Sequence, residues 1–142
     1  MRYMVIVKAN EKSEAGQMPS EQELVAMGKL NEKMIKAGVL LSGEGLLSSK
    51  HGMRVKFDGG KRIVTDGPFT ETKELIGGFW ILQVKSKEEV LEWVKQVPFT
   101  HGEEIEIRKI GEPEDYEPAV KTEAGKKVLD DEKKWHKEHG NR

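Results

Sequence analysis

Apolar positions along this chain change their period several times, and each change marks an element. Tyr3, Met4, Val5, Ile6 and Val7 form a short unbroken run, which predicts a buried strand from Arg2 to Lys8. Ser20 and Glu23 then make a capping-box pattern after Pro19, and Leu24, Met27, Leu30, Met34 and Ile35 recur at helical spacing up to Gly38. A second strand is predicted over Val39 to Leu47. Met53, Val55 and Phe57 alternate with Arg54 and Lys56, and Asp58-Gly59-Gly60 turns the chain into Arg62 to Thr65, which predicts a hairpin. Phe79 to Lys85 reads as a strong strand. Ser86 and Glu89 repeat the capping pattern before Val90, Trp93, Val94 and Val97, and Pro98 stops that helix. Glu104 to Ile110 supplies the last strand, with Ile105 and Ile107 on one side and Glu106 and Arg108 on the other.

This order is βαβ, a hairpin insertion, then βαβ, and it predicts an α+β domain with two helices on one face of an open antiparallel sheet. Two central strands are apolar on both sides. Tyr3, Val5 and Val7 oppose Met4 and Ile6, while Trp80, Leu82 and Val84 oppose Phe79 and Ile81. A half-solvated antiparallel sheet would alternate instead, so the second face calls for a cover, and a homodimer packed through its sheets supplies one. The alternative cover is the chain's own C-terminal segment. Residues 111–118, with Pro113 and Pro118, read as an extended linker. Lys121 to His139 is highly charged, with a thin apolar stripe of Ala124, Val128, Leu129 and Trp135, and reads as a surface helix docking by Trp135 or a partly disordered tail. The domain is therefore expected over residues 1–110, with a linker and charged tail over 111–142.

Composition narrows the function classes. At 142 residues and 36% hydrophobic content, one core is expected, and a charged fraction of 35% implies a mixed-sign surface. The net charge of −1 gives no long-range attraction to a phosphate backbone, so no nucleic-acid partner is expected. No cysteine is present, which removes disulfides, thiolate metal sites and cysteine nucleophiles. No apolar run approaches a signal-peptide core or a membrane span, and cytoplasmic residence is the default expectation.

Candidate chemistry concentrates in Asp66-Gly67-Pro68-Phe69-Thr70-Glu71-Thr72-Lys73-Glu74. Asp-Gly-Pro can be a turn and no more, since Asp accepts local N–H bonds and Gly and Pro set the backbone. Alternatively, Glu71 and Lys73 point to one side of an extended stretch, and Asp66, Glu74 and Lys73 converge where the loop folds back, as an acid/base set with a lysine to hold an anion. Both readings remain open.

At this motif the chain resembles the YCII-related family, in its DGPF-domain type. The resemblance extends to Met18-Pro19-Ser20-Glu21, Ala37-Gly38-Val39, Gly43-Glu44-Gly45-Leu46, Gly78-Phe79, Val84-Lys85-Ser86, Glu92-Trp93-Val94, His101-Gly102-Glu103 and Glu106-Ile107-Arg108. It covers about residues 1 to 110 and implies a ferredoxin-like fold that dimerises through its sheet in an α/β-barrel-like assembly. The histidine of the His/Asp pair proposed for the wider family lies on the first helix, and this chain has no histidine before His51, so that pair does not carry over. Members are often encoded beside alternative sigma factors, which implies a regulatory or interaction role as the alternative to chemistry.

Beside this motif, two further groups join the candidate set. Glu44, flanked by glycines in an apolar strand, either faces solvent at an edge or points into a cavity. His101 is either a solvated loop residue or the one well-placed imidazole for proton transfer. Gly43-Glu44-Gly45 lacks the third glycine and the following helix of a dinucleotide fingerprint. His136 and His139 share a charged tail without a third ligand, so no metal or other cofactor is expected. The expected site is a metal-independent pocket for a small molecule beside the Asp66 loop. Asp66, His101 and Glu44 would be its acid/base groups, and Phe69, Glu71, Lys73, Glu74 and Trp80 its lining, with Phe79 as a further apolar wall.

Overall fold

The computed structural model describes residues 1–139; the last three residues of the expected tail lie outside them. In chain order the elements are β1 (Arg2–Lys8), α1 (Glu11–Glu14), α2 (Glu21–Lys36), β2 (Leu40–Gly45), β3 (Met53–Asp58), β4 (Lys61–Asp66), β5 (Ile76–Gln83), α3 (Lys87–Val94), β6 (Ile105–Lys109), α4 (Pro113–Tyr116) and α5 (Glu123–Glu138). A four-stranded antiparallel sheet runs β2-β5-β1-β6, and among the described residues β3 pairs only with β4. No closed barrel forms among the described residues.

The core follows from strand register. Val5 lies opposite Trp80 and Tyr3 opposite Leu82, so these side chains share one face. Leu30 and Met34 of α2 and Val90 of α3 cover that face, closing a core that also takes Val39 and Val84. Trp80 needs a partner for its indole N–H once buried, and donates it to Asn31 Oδ1 at 2.8 Å. Gly43 lies opposite it on β2, and a Cβ there would come 2.8 Å from the indole Cδ1. One glycine beside Glu44 is thus required by core packing.

Both helices start as their capping patterns predict, with a difference. Ser20 Oγ accepts the Glu23 N–H at 3.1 Å, and Ser86 Oγ accepts the Glu89 N–H at 3.1 Å. The Glu89 carboxylate reaches past Ser86 to the Lys85 N–H, at 2.7 Å. The apolar stripe of α2 is narrower than expected: Leu24 and Ile35 are 58% and 63% exposed. Ile35 sits about 100° around the helix from Met34, too far to reach the same contact, and Leu24 in the first turn falls outside the core cluster.

The C-terminal region corrects two expectations. Residues 111–118 are not extended, because Pro113 opens α4 and Pro118 sits in a following 3-10 turn over Glu117–Ala119. Proline is tolerated there since a first-turn N–H has no helical partner to lose. Arg2 clamps this segment to β1, donating Nε and Nη2 to the Glu112 carboxylate at 2.8 and 3.1 Å. Helix α5 then docks by Leu129, which is buried, and not by Trp135, which is 55% exposed. The two residues lie about 120° apart around the helix, so only one can face inward. Trp135 instead stacks on His139 with centroids 4.7 Å apart.

The opposite sheet face carries Met4 and Ile6 beside Phe79 and Ile81. Ile6 is buried and the other three are half-buried. Its borders are charged: Glu106 accepts from Lys8 and Arg108, each at 3.2 Å, and Glu44 stands opposite Phe79 on β2. The Arg108 and Lys8 bonds hold the Glu106 carboxyl below its ordinary range.

Candidate functional site: an anchored loop at one end of the sheet

Antiparallel pairing brings the ends of β1 and β2 to the starts of β5 and β6. Ala9 N–H donates to Leu75 O at 2.9 Å, Leu46 N–H to Gly77 O at 2.9 Å, and Lys8 N–H to Glu104 O at 3.1 Å. The Asp66 loop, residues 71–74, Glu44 and His101 therefore share one end of the sheet.

The loop is held from three directions. Ser49 opens a 3-10 turn over Ser49–His51, and the Glu14 carboxylate accepts from its N–H at 3.0 Å and its Oγ–H at 2.5 Å. Ser49 Oγ in turn accepts the Phe69 N–H at 2.9 Å. Gly67 N–H donates to Gly52 O at 2.9 Å, and a Cβ at residue 67 would fall on the Ser49 carbonyl. Only glycine fits that approach. The Gly67-Pro68 peptide is cis. On the hairpin side, the Arg54 guanidinium lies 3.8 Å from the centre of the Phe69 ring.

This scaffold leaves its charged groups in solvent. Asp66, Glu71, Lys73, Glu74, Glu44 and His101 are all exposed, and among the described residues none makes a side-chain hydrogen bond or ion pair. Next to His101, the Glu103 carboxylate accepts the His101 N–H at 2.8 Å. Backbone N–H groups, its own first, lower the Glu103 pKa. Phe69 is half-buried, held beneath Arg54. Phe79 is half-buried on the open sheet face. Trp80 does not line this end, since it belongs to the core on the helix side. Of the glycines flanking Glu44, Gly43 answers to packing and Gly45 has open space beside it, and the Glu44 carboxylate faces solvent and not a cavity.

Sequence reasoning missed Glu14, Ser49 and Arg54, the residues that build the loop's support. They lie far from Phe69 in the chain and carry no linear signature. Among the described residues no His, Asp and Glu side chains gather in threes as a metal site requires. His136 pairs with Glu132 at 3.5 Å, and His139 lies against Trp135. A shallow concavity of about 860 Å³ lies at the other end of the sheet, among Met1, Gly38, Leu41, Gln83, Lys85 and Glu89.

These features define a mixed α+β protein built on an open antiparallel sheet, with a rigidly supported loop at one end. The chain belongs to the YCII-related domain family, whose model matches residues 1–113. It is also 28% identical over 99 residues to an uncharacterized protein of Rhizobium meliloti (strain 1021), across 68% of this chain and 80% of that one.

Proposed function

We propose that this chain is a ferredoxin-like homodimer that binds a small polar molecule at the loop-rich end of its sheet. One observation carries the reading: Glu14, Ser49 and Arg54 fix residues 67–69 firmly, while Glu71, Lys73 and Glu74 directly after them are exposed and unpaired among the described residues. A rigid scaffold that presents unpaired charge on a loop is how binding residues are commonly displayed. Lys73 would hold an anionic group, and Glu71 and Glu74 would accept hydrogen bonds from the ligand. If turnover occurs, Glu44 and His101 at the same end are the groups available for proton transfer. No metal is part of this chemistry. In the dimer, Met4, Ile6, Phe79 and Ile81 would pack against the second sheet.

A thermal-shift screen of small organic acids, amines and phosphates tests this, since a ligand bound by the folded state raises its melting temperature by mass action. Lys73→Met should abolish the shift produced by an anionic hit. A second reading, a protein-interaction module, draws support from the apolar surface of the β3–β4 hairpin.

A further inference from the structure

The register of β3 and β4 sorts the hairpin into two unlike faces. Val55 lies opposite Val64, Met53 opposite Asp66, and Phe57 opposite Arg62. On the other face, Arg54, Lys56 and Asp58 lie opposite Thr65, Ile63 and Lys61. The first face is therefore apolar, with Asp66 at its base and Arg62 near its tip. It stands in water: Met53, Val55, Phe57 and Val64 are 66%, 47%, 69% and 59% exposed. An isolated two-stranded hairpin is marginal at best, and an amphipathic ribbon gains stability only by covering its apolar side. The Arg54–Phe69 contact ties the polar face to the subunit's own loop at one point, while every residue of both strands is exposed. No residue of the apolar face is buried.

We propose that this face docks on the same face of a second copy of the chain, the two hairpins stacking about a two-fold axis that passes by Val55 and Val64. Self-complementarity argues for that occupant. A two-fold axis lying across the strands sets β4 antiparallel over the partner's β4, so the tip of one hairpin meets the base of the other. Arg62 then meets the partner's Asp66, Phe57 meets the partner's Met53, and Val55 and Val64 lie at the centre. Opposite charges fall at the rim and apolar side chains in the middle, as an isologous interface requires. Asp66, the first residue of the chain's most distinctive motif, gains an assembly role. The contact is separate from the sheet-face contact and from ligand binding, and goes beyond both.

Because the chain has no cysteine, a single thiol reports the contact directly. Val64→Cys should form a disulfide-linked dimer under mild oxidation at micromolar protein, and Thr65→Cys on the polar face should not. Equal cross-linking at the two positions would overturn the proposal. Charge reversal gives a second test. Arg62→Asp and Asp66→Arg should each weaken the hairpin contact about ten-fold or more in sedimentation equilibrium, and an equimolar mixture of the two should regain it, since each variant complements the other. Singles that associate like wild type, or a mixture no better than either single, would contradict it. Ile81→Asp, which addresses the sheet face alone, separates failure of the sheet-face dimer from failure of this contact. Circular dichroism checks that each variant is folded.

Discussion

Arg54 stacks its guanidinium 3.8 Å from the centre of the Phe69 ring, joining the first strand of an exposed hairpin to a loop that begins where the second strand ends. The contact closes the hairpin base against the subunit. Without it, the two strands are joined to the remainder by chain connections and by the Gly67–Gly52 bond. Arg54→Met should cost about 0.5–1 kcal/mol, the scale of a partly exposed cation–π contact. Amide hydrogen exchange should show faster exchange confined to β3 and β4, with the β1–β5 amides unchanged.

Gly67 is the least replaceable residue of the loop. A Cβ there would fall on the Ser49 carbonyl, which is fixed by the turn that Glu14 supports. Gly67→Ala should destabilise by about 1–3 kcal/mol, as overpacking against rigid backbone does. Urea unfolding would measure it.

Helix α5 offers a paired test of docking. Leu129→Ala should destabilise by about 2 kcal/mol, the lower end for a buried leucine, because the site lies at the edge of the molecule. Trp135→Ala should fall within about 0.5 kcal/mol of wild type, as exposed substitutions do. Thermal unfolding of the two variants ranks them, and the reverse order would show that the tryptophan carries the docking.

The same helix should respond to pH at both extremes. Backbone bonding, its own N–H first, and then Lys133 lower the Glu114 carboxyl from its ordinary 4.5; Glu114 in turn raises Lys133 from its ordinary 10.5. A depressed carboxyl stabilises above its unfolded pKa, and that contribution is lost as pH falls through the lowered folded value. A raised lysine contributes fully below its unfolded pKa and loses this as pH rises through the higher folded value. Docking should be firmest across neutral pH and loosen toward strong acid and strong alkali. Both groups are exposed, so added salt should flatten the profile. Chemical shifts of the Leu129 methyl groups would follow it.

Much of the fold was legible because its signals are local. Ser20 and Ser86 announce helix starts through bonds three residues long, and the Met53, Val55, Phe57 alternation announces a hairpin. The docking residue of α5 was misread, since size favours Trp135 and only position around the helix favours Leu129. The bidentate Arg2–Glu112 clamp and the Glu14–Ser49–Phe69 chain link distant segments, and no spacing rule reaches them. Trp80 looked like a pocket wall because an aromatic beside Phe79 suits a site; register places it on the opposite side of the sheet, where Asn31 satisfies its N–H. Asp66 was recognisable as special, but its exposure and its place on the hairpin's apolar face depend on strand pairing.

The most direct test of the small-molecule reading is an amide NMR titration of the protein with the acids, amines and phosphates of the thermal-shift screen. A ligand bound as proposed shifts the amides of Glu71, Lys73 and Glu74 together with those of Glu44 and His101, and Lys73→Met removes the response to an anion. Shifts gathered instead around Met1, Gly38 and Gln83, at the opposite end of the sheet, or a response to an anion that survives in Lys73→Met, would contradict the account.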